Sequence, residues 1–106
     1  MADVQYFAVA TRADIEPGEV FVADIEGVRI AVCNVDGNFY AVEDSCSHDG
    51  SSFGETDLEG NEIYCPRHGA IFDVTNGAVL SPPASSPIDT FPVRLNGETI
   101  EVGLES

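Results

Sequence analysis

Lysine is missing from the chain, and its four positive side chains, Arg12, Arg29, Arg67 and Arg94, stand against 19 aspartates and glutamates, for a formal charge of −15 at pH 7. Such a surface repels phosphate backbones and anionic bilayers, which excludes nucleic acid and acidic membranes as partners and points to basic protein surfaces. Long apolar runs are missing as well: no stretch approaches the ~18 residues of a membrane-spanning helix. The opening Met1-Ala2-Asp3-Val4 lacks the basic and apolar regions of a secretion signal, so a cytoplasmic protein without a membrane partner is expected. Cysteine is scarce. Three residues do not make a disulfide framework, and in an intracellular chain a Cys and His pattern points to metal binding or catalysis.

Helix signals are almost absent. Only Thr11 to Ile15 suggests one, and Pro17-Gly18 stops it within about one turn. The apolar share of 43% nonetheless supports a folded core, and 106 residues suit one domain. Short runs rich in Val, Ile and aromatics read as strands at Tyr6 to Val9, Glu19 to Ile25, Val28 to Val35, Asn38 to Val42, Phe91 to Leu95 and Thr99 to Leu104. Asp36-Gly37 and Asn96-Gly97 are hairpin signals, because the favoured two-residue turns need positive φ. From Asp44 to Ser86 the texture changes to Gly, Ser, Pro and Asp, with brief apolar pieces at Ile63-Tyr64 and Ala70 to Asp73 and a turn at Leu58-Glu59-Gly60-Asn61. Connectors this long inside a compact domain are usually functional. The pattern predicts an all-β domain over 1–106: an antiparallel base from about 1–43 and 87–106, carrying a loop-rich subdomain at about 44–86.

Both histidines and two of the three cysteines fall in that irregular segment, as Cys46-Ser47-His48 and Cys65-Pro66-Arg67-His68, separated by the 16 residues from Asp49 to Tyr64. Two ligand sets are chemically reasonable for one thiolate and one imidazole per loop. Zinc accepts two Cys and two His tetrahedrally, and a Rieske centre places two Cys on one iron and two His on the other. Structural zinc sites usually draw a Cys pair from one element and a His pair from another. A mixed pair in each loop favours the two-iron cluster, since each loop then reaches both irons. A zinc-stabilised interaction module stays as the alternative; a Cys-His catalytic dyad would leave the second pair unexplained.

This C-x-H and C-x2-H pattern resembles the Rieske family, and the resemblance extends to the strands before Cys46, the Pro82-Pro83 loop and the closing Phe91-Pro92-Val93-Arg94. It is most similar to the stand-alone ferredoxins of bacterial multicomponent aromatic-ring dioxygenases. The resemblance implies a β-sandwich base with a cluster-binding subdomain, and one [2Fe-2S] cluster held by Cys46, His48, Cys65 and His68. It further implies electron transfer from a flavin-dependent reductase to a terminal non-haem iron oxygenase by a monomeric carrier that is not itself an enzyme. A Rieske subunit for another acceptor, such as a nitrite-reductase-type system, is the neighbouring possibility. Respiratory Rieske proteins carry a disulfide between their loops; the matching positions here are Ser51 and Arg67. They also carry Ser and Tyr where this chain has Ala70 and Phe72. Lacking those hydroxyl donors to sulfur, the cluster is expected at the low end of the Rieske range of roughly −150 to +300 mV. Four further readings follow. Cys33 is expected in the core, Arg67 as a solvated loop residue or else a docking contact or a tuner of the cluster, Gly50 and Gly69 as backbone-permissive positions, and Pro82-Pro83 as an ordinary turn or, as the resemblance implies, a lid over the cluster.

Overall fold

A computed structural model describes residues 3–45, 52–54, 57–65, 69–82 and 86–105. Among them the only helical element is a 3-10 turn at Arg12–Asp14, where the Thr11 N–H donates to the Asp14 carboxylate at 2.9 Å. The rest is antiparallel β: β1 (Val4–Thr11), β2 (Val20–Ile25), β3 (Val28–Val35), β4 (Asn38–Glu43), β5 (Glu62–Tyr64), β6 (Ile71–Asp73), β7 (Val79–Ser81), β8 (Thr90–Phe91), β9 (Val93–Asn96) and β10 (Thr99–Glu105). They form three sheets in the orders β1-β10-β9, β2-β3-β4-β8 and β5-β6-β7.

The four-stranded sheet lies between two cores, and its sequence shows why. In β3, Ile30 and Val32 point to one side and Ala31 and Cys33 to the other, and all four are fully buried. A strand covered on both faces reads as a continuous apolar run rather than an alternating one, and Ile30-Ala31-Val32-Cys33 is such a run. On one side Ile30, Val32 and Ala41 meet Ile100 and Val102 of β10, closing a sandwich with the β1-β10-β9 sheet. On the other side Ala31, Cys33 and Val42 meet Phe53, Leu58, Ile63, Cys65, Phe72 and Ile88. Across the outer face of the β1-β10-β9 sheet, the Arg94 guanidinium sits 4.0 Å from the centre of the Tyr6 ring and donates to Glu101 at 2.6 Å. Gly103 is required beneath that ring: a Cβ there would lie 2.6 Å from a Val4 methyl and 2.8 Å from Pro92.

Turns define the register. Asp36 and Gly37 both have positive φ, and Val35 pairs with Asn38, which is the expected hairpin. The β2–β3 connection is built the same way from Glu26 and Gly27, without the Asn or Asp that makes such a turn legible. The final hairpin differs by one residue from the Asn96-Gly97 expectation. Asn96 pairs with Thr99, so the loop residues are Gly97 and Glu98, and of the two only Gly97 has positive φ. A turn with positive φ at its first central position alone needs glycine only there, which frees Asn96 to end the strand.

Candidate metal centre

The chain leaves the central sheet at the end of β4 and returns along it in β8. Thr90 pairs with Val42, Phe91 with Ala41, and the Glu43 N–H donates to the Asp89 carbonyl at 2.9 Å. The intervening segment is therefore pinned at both ends to one strand. Its regular part is the β5-β6-β7 sheet, whose residues Ile63 and Phe72 face each other across a strand pair and are fully buried.

Cys65 stands one residue past β5, and its backbone is held on both sides. Its N–H donates to the Ala70 carbonyl and its carbonyl accepts from the Gly69 N–H, each at 2.8 Å. The two ends of the loop from Cys65 to Ala70 are thus drawn together. Gly69 completes it at φ +78°; nothing crowds its Cβ position, so the backbone conformation and not space is what calls for glycine. The Cys65 side chain is fully buried and free of any disulfide, with Ala70 and Phe72 in the same apolar cluster. A thiol presented from a fixed backbone in an apolar surround fits a ligand to a soft metal centre, where a thiolate replaces its lost hydration by coordination. Cys46, His48 and His68, the other three expected ligands, lie outside the described residues, as do Ser51, Arg67, Gly50 and Pro83.

The first of the two expected ligand loops is described only at its two ends. At its entry Asp44 is fully buried, and its own N–H donates to the Arg29 carbonyl at 3.0 Å. At its exit the Phe53 N–H donates to Asp44 Oδ1 at 2.8 Å, the Ser52 hydroxyl donates to Asp44 Oδ2 at 2.5 Å, and the Gly54 N–H donates to Ser52 Oγ at 3.0 Å. The Phe53 ring meets the Phe72 ring edge-on, with centroids 5.5 Å apart and planes at 77°. Sequence reasoning passed over Asp44, Ser52 and Phe53. The available signal was an acidic pair, Glu43-Asp44, at the end of the apolar run of β4, where solvated turn residues would look the same.

The β6–β7 turn closes the far end. Asp73 Oδ1 accepts from the Thr75 N–H and hydroxyl at 2.9 and 2.6 Å. Partial burial pushes the Asp73 carboxyl up, but the bonds from Thr75, with a further one from Asn61, outweigh it and hold the group below the usual carboxylate range. Gly77, at φ +77°, accepts at its carbonyl from the Ile88 N–H at 3.0 Å, and a Cβ there would fall 2.1 Å from the Ile88 carbonyl oxygen. Cys33 stays on the core side of β3, as expected. Its thiol is pushed up to about 12, by burial first and then by the nearby Asp44 carboxylate.

The Rieske [2Fe-2S] domain model matches residues 5–92. A naphthalene 1,2-dioxygenase ferredoxin component from Pseudomonas aeruginosa is 35% identical over 91 residues, covering 86% of this chain and 88% of the relative. A 3-phenylpropionate/cinnamic acid dioxygenase ferredoxin subunit from Shigella boydii is 41% identical over 93 residues, covering 87% of each. Among solved structures, a chain of the complex of reduced oxygenase and oxidized ferredoxin in carbazole 1,9a-dioxygenase superposes with a TM-score of 0.87 at 34% identity, over 92% of this chain and 91% of that one. With its antiparallel sandwich and its Cys65 turn, this chain belongs to the Rieske [2Fe-2S] domain family.

Proposed function

We propose that this chain is the ferredoxin of a multicomponent aromatic-ring oxygenase, accepting single electrons from a flavin-dependent reductase and passing them to a terminal non-haem iron oxygenase. It is a carrier and not a catalyst. The observation that carries the reading is the near full-length similarity to ferredoxin components, 88% of the naphthalene relative's own length. Cys46 and Cys65 are the proposed ligands of one iron, and His48 and His68 of the other. In this reading 1–106 is a single domain, with residues 44–86 forming the cluster-binding part on a base from 1–43 and 87–106. It works as a cytoplasmic monomer.

When bound, a [2Fe-2S] cluster supplies a reversible one-electron couple. The chain's own residues do the rest. The paired backbone bonds at Cys65 and Ala70 fix where one thiolate is presented. The buried Phe53, Ile63 and Phe72 keep water from that side of the site. Ala70 and Phe72 bring no hydroxyl to the sulfurs, which leaves the negative charge of the reduced state less stabilised and the potential low. The acidic surface, −15 in all, speeds encounter with basic partner surfaces over about 8 to 10 Å at physiological salt.

The test is to purify the protein and measure iron, acid-labile sulfide and the electron paramagnetic resonance spectrum after reduction. Two irons, two sulfides and a Rieske spectrum are expected. A colourless protein with one zinc would replace the carrier by an interaction module. With a reductase in hand, the association-limited electron-transfer rate should fall as salt is added; a rate indifferent to salt would confine the acidity to solubility.

A further inference from the structure

Burying a carboxylate is expensive, and a fold keeps one where several donors converge on it. Asp44 is the only buried acidic or basic side chain among the described residues, and its one buried polar companion is the neutral Asn34. Both carboxylate oxygens of Asp44 are used, and both donors come from the same place, Ser52 and Phe53. Asp44 lies two residues before Cys46, and Ser52 and Phe53 lie four and five after His48, so the carboxylate closes the base of the loop that contains Cys46 and His48. The clasp also reaches the other loop. Phe53, whose amide is one donor, lays its ring against Phe72 of β6, and β6 pairs with β5, which ends one residue before Cys65.

We propose that Asp44 is a positioning residue for the cluster, clasping the first ligand loop through Ser52 and Phe53 and holding it in register with the second through the Phe53–Phe72 ring contact. This rests on the ligand assignment made above. Asp44 touches neither iron nor sulfide in this scheme; it acts through the loop.

The test uses full-length holoprotein and compares Asp44→Ala, Asp44→Asn and Phe53→Leu with wild type. The readouts are the resonance g values, the midpoint potential and the rate of iron release to a chelator. Asp44→Ala should release iron roughly 10- to 100-fold faster, the size seen when groups that orient metal ligands are removed, and its g values should move. Asp44→Asn keeps an acceptor for the Phe53 amide and should restore most of the retention, while in Asp44→Ala the displaced loop should move the potential as well as the g values. Phe53→Leu keeps the amide, loses the ring contact and should fall between. As a control, Ile100→Ala lowers stability on the far side of the central sheet and should leave g values and potential at wild type. Wild-type g values and potential in Asp44→Ala, or iron release no faster than in Ile100→Ala, would overturn the proposal. If Asp44→Ala yields no holoprotein, a wild-type spectrum, potential and retention in both Asp44→Asn and Phe53→Leu would overturn it equally. A wild type without iron and sulfide would instead overturn the ligand assignment and leave the clasp as a feature of the loop alone.

Discussion

The two faces of the β2-β3-β4-β8 sheet are packed by different means. On the sandwich face, β1 and β10 run eight and seven residues, and they pair over most of that length. The core they cover is aliphatic and aromatic, with no buried charge in it. On the opposite face the three strands β5, β6 and β7 have three residues each. Turns at Gly60, Gly69 and Gly77, the Asp73–Thr75 bonds and the Asp44 clasp hold them in place. The sandwich is redundant, since many equivalent contacts share its stability. The other face depends on single contacts whose loss is felt at one spot. A base that tolerates change and a site that does not are the natural division for a carrier that must hold two ligand loops at a fixed separation.

The sharpest way to break this comparison is at the ligands. Cys65→Ala, like substitution of Cys46, His48 or His68, should abolish the Rieske spectrum outright while the sandwich still folds, because no spare histidine exists in the chain. Cys33→Ser, on β3 in the same buried cluster, should keep it. If iron were lost with Cys33→Ser and a normal spectrum survived Cys65→Ala, the assignment would be wrong. Next in size are the two packing tests. Ile100→Ala empties a fully buried site in the sandwich and should cost about 2 to 5 kcal/mol in denaturant unfolding, with the spectrum unchanged. Gly77→Ala drives a methyl into the Ile88 carbonyl and should cost about 1 to 3 kcal/mol, felt as faster cluster loss because it loosens the return of the chain to β8. Equal effects of both on the cluster would erase the distinction between the faces.

The same contrast explains what could be read before the structure was known. Long strands bounded by Asp36-Gly37 announce themselves, because turn chemistry and β-branched runs are local properties. Val79–Ser81 gave no such signal: three residues between Gly77-Ala78 and Pro82 form a strand only because Phe72 and Ile71 of β6 are there to pair with them. At the site, the Cys and His pattern was legible because ligand chemistry restricts which residues can serve. Asp44 was not, since what sets it apart from other acidic residues is the later arrival of Ser52 and Phe53, and convergence of that kind is written in the fold rather than in the spacing.

A smaller effect separates electronic tuning from packing. Ala70→Ser and Phe72→Tyr each add a hydroxyl beside the Cys65 turn, in positions that are fully buried. Either should raise the midpoint potential, on the order of tens of millivolts within the Rieske span of roughly −150 to +300 mV, by donating to sulfur in the reduced state. Protein film or redox-titration voltammetry reads the shift. A fall in both variants, with intact spectra, would contradict the hydrogen-bond account and point to packing as the dominant influence of these side chains.

The last test uses Cys33 to ask how tightly the site-side core is sealed. Its thiol, ordinarily titrating near 9, is pushed up to about 12 by burial and then by Asp44. Between those values the folded chain holds a proton that the unfolded chain releases. Folding stability contributed by this group is therefore complete below pH 9 and is lost as pH rises toward 12, with a slope of up to about 1.4 kcal/mol per pH unit. Cys33→Ala removes the group, so its stability curve should be flatter than wild type across that window, although its stability near neutral pH is lower through the lost packing. Denaturant unfolding of both proteins at several pH values from 8 to 11 measures the difference, in which the tyrosines common to both cancel. Alkylation offers an independent reading, since a sealed thiol reacts with iodoacetamide only as fast as that core opens. Parallel curves for the two proteins, together with rapid alkylation of Cys33 in the native state, would mean that the core beneath the ligand loops admits solvent. The sandwich face would then be the only dry one.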